Sequence, residues 1–263
     1  MHKIGVIAGR NDPAGFGIAQ ALRTMPIAEA GISVHVTDKD ILMYDGVERE
    51  ADADLLIFAS KHSSKEGRPT FSCHVAGNWG EAKSGGTSRE LCVAPAIFLK
   101  SMFLALKECA TGVPHEVTLE ATHHGPFVKT PSLFVEIGST EEEWGNEKNA
   151  KVVASAILQA VSSPPFPLIG AIPSLTIAVG LGGPHYCSQF NKIQLGERVA
   201  IGHVCPKHHL HLLDKQALAQ AWERTTPKPD FFLLDWKGLG KEKQRIVGLL
   251  KESGFPFRRA DEF

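Results

Sequence analysis

Eight short apolar runs recur along the chain: KIGVIAG, ISVHVTD, DLLIFAS, EVTLEATH, SLFVEIG, LTIAVGLG, RVAIGHV and DFFLLDW. Each is long enough for a buried strand and too short for a buried helix, and turn residues bound them. Longer segments with helical periodicity fall between, at Gly15 to Arg23, Glu90 to Cys109, Thr140 to Val161, Lys207 to Glu223 and Lys241 to Ser253. Strands alternating with helices restrict the chain to the α/β class, because parallel neighbours need a helical crossover. The third helix is the best marked. Thr140 and Glu143 form a T-x-x-E capping box, and an apolar stripe follows at Val152, Val153, Ile157 and Val161.

A chain of 263 residues admits one large domain or two small ones. The only linker-like break is SSPPFP at 162–167, and the strands on either side are too few for two independent sheets. The expectation is one α/β domain, 1–263, with a central mostly parallel or mixed sheet flanked by helices. VIAGRNDPAGFG resembles a dinucleotide-binding turn only superficially. Its glycines do not fall as G-x-G-x-x-G and no K-[ST] follows, so it reads as a Gly-rich strand-to-helix turn.

Charge narrows the partners. A formal net charge of −1 excludes a domain that wraps DNA or RNA through bulk positive charge, so an RNA substrate must meet a local basic patch. No apolar run approaches the ~20 residues of a membrane span. Cys73, Cys92, Cys109, Cys187 and Cys205 are odd in number and scattered, with no C-x-x-C pair and no signal-peptide pattern. Reduced thiols, a cytoplasmic setting and a monomer are expected.

The chemistry gathers at strand ends. LLIFASKH closes on His62, TLEATHHGP on Glu120, His123 and His124, and TIAVGLGGPH on His185. In an open α/β sheet the carboxyl ends of the strands are where ligands bind. Strand alternation alone would point His123 and His124 to opposite faces. Gly125 and Pro126 end the strand and permit a bend that brings both imidazoles to one side. Zinc suits such a set, since it takes imidazole nitrogen and carboxylate oxygen and in catalytic sites keeps a position open for water. Spacing alone is a weak signal, as there is no H-E-x-x-H. A single histidine among twelve is more often a hydrogen-bonded core or surface residue. GHVCPKHHLH adds His203, Cys205, His208, His209 and His211 beside a helix start.

Residues 60–91 form a second polar segment with little apolar periodicity before Glu90. Lys61, Lys65, Arg68, Lys83 and Arg89 are interleaved there with Phe71, His74 and Trp79. Cations contact phosphate and flat rings stack on unpaired bases, as a single-stranded RNA end requires. A solvated loop anchored by a few apolar residues fits the same composition.

ASKHSSKEGRPTFSCHVAGNWGEA, TLEATHHGP, SLFVEIGSTEEEW, VGLGGPHY and GHVCPKH, in this order, resemble the D-aminoacyl-tRNA deacylases of archaea and plants over nearly the whole chain. The resemblance implies a hydrolase of the ester between a D-amino acid and the 3′ end of tRNA. It also implies zinc as cofactor and a core like that of phosphorylases and peptidyl-tRNA hydrolases. Carried onto this sequence, it makes Glu120, His123 and His124 the expected catalytic residues and His62, His124 and His185 the expected metal ligands. Lys61, Lys65, Arg68, Trp79 and Arg89 are the expected tRNA contacts. GGTSRE at 85–90 is the expected backbone wall that sets chirality. Two other functions fit the residues: a zinc hydrolase of small peptides or acylated amino acids, and a tRNA-binding module without chemistry.

Overall fold

The computed structural model describes residues 2–162, 175–196 and 198–263. Twelve strands are present among them: β1 (Ile4–Gly9), β2 (Ile32–Thr37), β3 (Leu55–Ser63), β4 (Thr70–His74), β5 (Ala94–Pro95), β6 (Glu116–Leu119), β7 (Ser132–Ser139), β8 (Thr176–Leu181), β9 (Val199–Cys205), β10 (Thr225–Thr226), β11 (Phe231–Leu234) and β12 (Phe257–Arg259). The helices are α1 (Pro13–Arg23), α2 (Glu48–Ala51), α3 (Ala96–Cys109), α4 (Glu141–Trp144), α5 (Glu147–Ser162), α6 (Ser188–Gly196), α7 (Lys215–Glu223) and α8 (Lys243–Glu252).

The α/β class and the mixed sheet are as expected. The strands divide between two main sheets, one built before residues 162–167 and one after, which corrects the expectation that the strands on either side are too few for two sheets. One has the order β2-β1-β3-β7-β4-β6, the other β12-β11-β8-β9. In the first, β2, β1, β3 and β7 are parallel, whereas β4 runs antiparallel to β7 and carries β6 parallel to itself. The second is parallel throughout. One hydrophobic core joins them: Phe58, Phe134 and Val135 of the first sheet belong to the same buried cluster as Ile201, Val204 and Leu233 of the second. A second cluster lies under α7 and α8, around Val179, Phe232 and Ile246.

The sequence order β1, β2, β3 becomes β2-β1-β3 in space, so the chain reverses direction across the sheet at β1. A crevice opens outside the carboxyl ends at such a reversal. Asp12 fixes the entry to α1 there. Its Oδ1 accepts from Gly15 N at 2.8 Å and Pro13 takes the first helical position, where no N–H is needed. Gly15 is required, since a Cβ would collide with the Ala59 carbonyl of β3.

Three helix expectations need correction. The Thr140 capping box does not form: α4 stops after one turn, Gly145 and Asn146 interrupt the segment, and α5 starts afresh at Glu147. The Glu143 carboxylate instead contacts His115 Nε2 at 2.8 Å and accepts from Asn149 Nδ2 at 2.6 Å. Residues 90–95 stay extended, because β5 pairs with β10 before α3 begins. The segment from Lys207 becomes a 3-10 turn and then α7, which Asp214 caps through Ala217 N at 2.9 Å. Of SSPPFP, only Ser162 lies within the described residues. No helix among them is long and apolar enough to cross a membrane.

Candidate active site and metal centre

The carboxyl ends of β1, β2 and β3 open onto a cleft of about 770 Å³, lined among others by Asp12, Asp40, Lys61, His62, His123, His124, Glu136 and His185. Each strand delivers its side chain by alternation. Along β3, Ser60 and His62 point inward and Lys61 outward. The loop after β6 leaves the ladder at Glu120, and His124 takes φ 47°, so the bend brings the rings of His123 and His124 to 4.2 Å between centroids. Beyond β8, Gly182 and Gly183 at positive φ turn the chain so that His185 O accepts from Ala121 N at 2.8 Å. That bond ties the second sheet to the histidine loop of the first.

Two buried carboxylates organise the centre. Glu120 Oε1 lies 3.1 Å from His62 Nδ1, and its Oε2 lies 2.8 Å from His185 Nε2 and 3.7 Å from His123 Nε2. Glu136, from the middle of β7, accepts from Ser60 Oγ at 2.6 Å, and its other oxygen lies 3.5 Å from His62 Nδ1 and 3.7 Å from His74 Nε2. Tyr186 OH meets the far side of the His62 ring, 2.8 Å from Nε2.

The charges follow from this arrangement. Burial works to raise the pKa of both carboxylates, yet the bond from His185 holds Glu120 below its usual range, and His62 and His74 hold Glu136 well below. Burial works to lower His62 and His74, and the carboxylates outweigh it, so both are raised. His123 and His124 are pushed the other way by burial and by the neighbouring His74. His123 ends well below its ordinary value and His124 at about 4.

Three imidazoles are prepared as ligands. His74 Nδ1 donates to Val75 O at 3.2 Å, His123 Nδ1 to Ala121 O at 2.8 Å and His124 Nδ1 to Gly125 O at 2.7 Å. A carbonyl can only accept, so each ring when neutral carries its proton on Nδ1 and its lone pair on Nε2, the tautomer that outer hydrogen bonds impose on metal-binding histidines. His74 Nε2 is buried with no hydrogen-bond partner. The ligand atoms of His74, His123 and His124 lie within 4.8 Å of one another, as do those of Glu120, His123 and His185, and of His62, Glu120 and Glu136. These residues fit a metal ion. The expected ligands His62, His124 and His185 share the cleft and fall into three different groups.

His74 and Glu136 were missed. His74 ends the five-residue β4 inside the polar segment 60–91, which has too little apolar patterning to mark a strand. Glu136 lies within the run SLFVEIG, and a carboxylate inside an apolar strand was the available signal. His203 is a core residue, bonded to Thr122 Oγ1 at 3.2 Å and Cys92 O at 3.0 Å. His208, His209 and His211 join none of the three groups.

The model of the D-aminoacyl-tRNA deacylase family matches residues 49–258. This chain belongs to the D-aminoacyl-tRNA deacylase family. It is 35% identical over 236 residues to the D-aminoacyl-tRNA deacylase of Thermococcus kodakarensis, covering 87% of this chain and 84% of that one. It is 31% identical over 258 residues to the Korarchaeum cryptofilum deacylase, covering 96% and 91%. The crystal structure of a conserved protein of unknown function superimposes with a TM-score of 0.88 at 29% identity, covering 99% of this chain and 96% of that one.

For a deacylase fold, the surroundings of the cleft matter as much as its centre. Lys61 lines it, and Lys65 is exposed on the turn beyond β3. Arg68 is exposed and paired with Glu66 at 3.1 Å. Arg89 pairs with Asp214 at 2.6 Å and borders a separate small hollow beside α7. Trp79 is only 3% exposed and donates its indole N–H to Val204 O at 3.1 Å. It anchors the loop to β9 and presents no face for a base, which corrects the expected stacking role. Ser84 reaches the cleft. Behind it Gly85 and Gly86, both at positive φ, pack against Gly125 and the Leu42 carbonyl, where Cβ atoms would collide with main chain. Ser84 and Leu42 line this side of the cleft, and the support behind them is backbone on backbone.

Proposed function

We propose that the cleft hydrolyses the ester of a D-aminoacyl-tRNA, releasing the D-amino acid and the tRNA, with zinc held by His74, His123 and His124. Membership of the deacylase family supports the reaction. The observation that carries the site is the set of three imidazoles with Nδ1 committed to carbonyls beside two buried carboxylates. When bound, zinc supplies Lewis acidity, which lowers the pKa of water and stabilises negative charge on a carbonyl oxygen. Because Glu136 favours the protonated form of His74, that ring would have to lose a proton from Nε2 to hold a metal ion, so holding it would become easier as pH rises.

The protein's own groups handle the protons. Glu120 is held anionic and takes a proton from the attacking water as general base. His185 Nε2, 2.8 Å from Glu120, orients the carboxylate, which returns that proton to the ribose oxygen as the carbon–oxygen bond breaks. Glu136 holds His62 and His74 in orientation. Lys61 and Lys65 hold phosphates at the cleft mouth, and the wall at Ser84 and Leu42, held by the backbone packing of Gly85, Gly86 and Gly125 behind it, excludes one side-chain direction at the α-carbon.

The test is zinc content of purified protein followed by hydrolysis of D- against L-aminoacyl-tRNA. About one equivalent of zinc and strong preference for the D-ester are expected. Protein that copurifies without metal, gains nothing from added zinc and leaves both esters intact refutes the proposal. Hydrolysis insensitive to salt and equally fast on D-amino acid methyl esters would assign a small-substrate hydrolase, since phosphate contacts make tRNA binding salt-dependent.

A further inference from the structure

We propose that the hollow between α1 and the α4–α5 junction is the subsite for the 3′-terminal nucleobase of the tRNA, with Trp144 as its stacking wall. This rests on the deacylase reading above. The hollow, about 210 Å³, is lined by Pro13, Gly17 and Gln20 of α1 and by Trp144, Asn146 and Lys151 across from it. It falls below the roughly 300–1,000 Å³ of sites that take a whole ligand, so it admits one ring system.

Its position follows from a ridge shared with the cleft. Lys61 lines the cleft, and its ammonium lies 4.9 Å from the centroid of the Trp144 ring. The Lys61 backbone N–H donates to Asp12 Oδ2 at 3.0 Å, and Asp12 lines the cleft immediately before Pro13 of the hollow. The Trp144 indole N–H donates to His62 O at 2.9 Å, which fixes the ring against the last turn of the catalytic strand. An aminoacyl ester and the base of the same nucleoside sit on opposite sides of one ribose. A ribose astride the Lys61–Asp12 ridge places its ester in the cleft and its base in the hollow.

Single-stranded RNA ends are held by stacking on aromatic rings and by cations. Trp79 is buried, and Tyr44 is 8% exposed beneath the Lys39 ammonium. Trp144 is half-buried and adjoins the cleft through Lys61. Gln20 and Lys151 are exposed at the rim, with no side-chain hydrogen bond or ion pair among the described residues, and so are free to meet the edge of a base.

The experiment titrates the trinucleotide CpCpA into wild-type, Trp144→Phe and Trp144→Leu proteins, and measures kcat and KM for a D-aminoacyl-tRNA on each. Loss of one stacked base should weaken CpCpA about tenfold in Trp144→Leu and raise KM by a similar factor, with Trp144→Phe within about threefold of wild type. Phenylalanine keeps a ring and loses the N–H donated to His62, so it separates stacking from support of the catalytic strand. Equal affinities in all three proteins, the same loss in both variants, or no saturable CpCpA binding by wild type would overturn the subsite. Wild-type protein that binds CpCpA through Trp144 and hydrolyses no aminoacyl-tRNA keeps the subsite and removes the deacylase reading. Hydrolysis unaffected by either substitution does the reverse.

Discussion

Ser60→Ala removes one oxygen and tests whether Glu136 is held as a buried anion. Both residues are 3% exposed, and Ser60 Oγ is 2.6 Å from Glu136 Oε1. The carboxylate's imidazole neighbours stand farther off, at 3.5 and 3.7 Å. Losing a hydrogen bond to a buried charge costs about 1.5–3 kcal/mol. For a chain of this size, with an unfolding entropy of about 2.1 cal/mol/K per residue, a 2 kcal/mol loss lowers Tm by about 4 °C. Zinc affinity should fall about 10- to 100-fold, since Glu136 steadies His62 and His74. Thermal unfolding in chelator at pH 7 and a zinc titration read the two effects. The double-mutant cycle with Glu136→Gln should show about 1 kcal/mol of coupling, because a charge-assisted bond is roughly twice as strong as a neutral one. A Tm shift below 1 °C, or strict additivity, would show that the carboxylate does not depend on Ser60.

Three further outcomes are expected. His74→Ala should abolish zinc retention and lower single-turnover hydrolysis by at least 10²-fold with the circular dichroism spectrum preserved; full zinc would remove His74 from the ligand set. Burial holds His203 at about 4 against about 6.5 when unfolded, so its contribution is complete above pH 6.5 and is lost as pH falls toward 4. Urea unfolding should therefore show the drop in stability from pH 7 to pH 5 smaller by about 2 kcal/mol in His203→Gln, and an unchanged drop refutes the neutral imidazole. Lys65→Ala should reduce the slope of log K against log salt for tRNA by about 1, whereas Trp79→Phe should lower Tm and leave that slope alone.

Much of this site was legible because its histidines stand where strands stop. His62, Glu120, His123, His124 and His185 follow apolar runs whose ends a sequence marks well, and all of them reach one centre. Two contributors follow other rules. His74 ends a strand that is antiparallel to β7 and embedded in polar sequence, so no apolar run announced it. Glu136 lies mid-strand, and its value depends on Ser60 standing beside it in register, which is set by pairing between distant segments. Trp79 shows the opposite failure: its polar neighbours suggested exposure, while the chain folds it beneath Val204. The division of strands between two sheets was equally hidden, because apolar runs of similar length do not declare their partners.

The wall formed by Gly85, Gly86 and Gly125 against Leu42 has a consequence for how this enzyme can change. Selectivity built from side chains drifts one residue at a time, since a leucine can be trimmed to valine and a pocket enlarged by a methyl group. Main chain packed on main chain behind the surface offers nothing to trim. A Cβ added at Gly85 or Gly125 meets main chain and one at Gly86 meets the Asn78 side chain, so a mutant library should record the three positions as expression failures rather than as altered substrate range. Were this wall to set discrimination at the α-carbon, as proposed, that discrimination would be tied to folding itself, and a lineage that relaxed the first would have to rebuild the second.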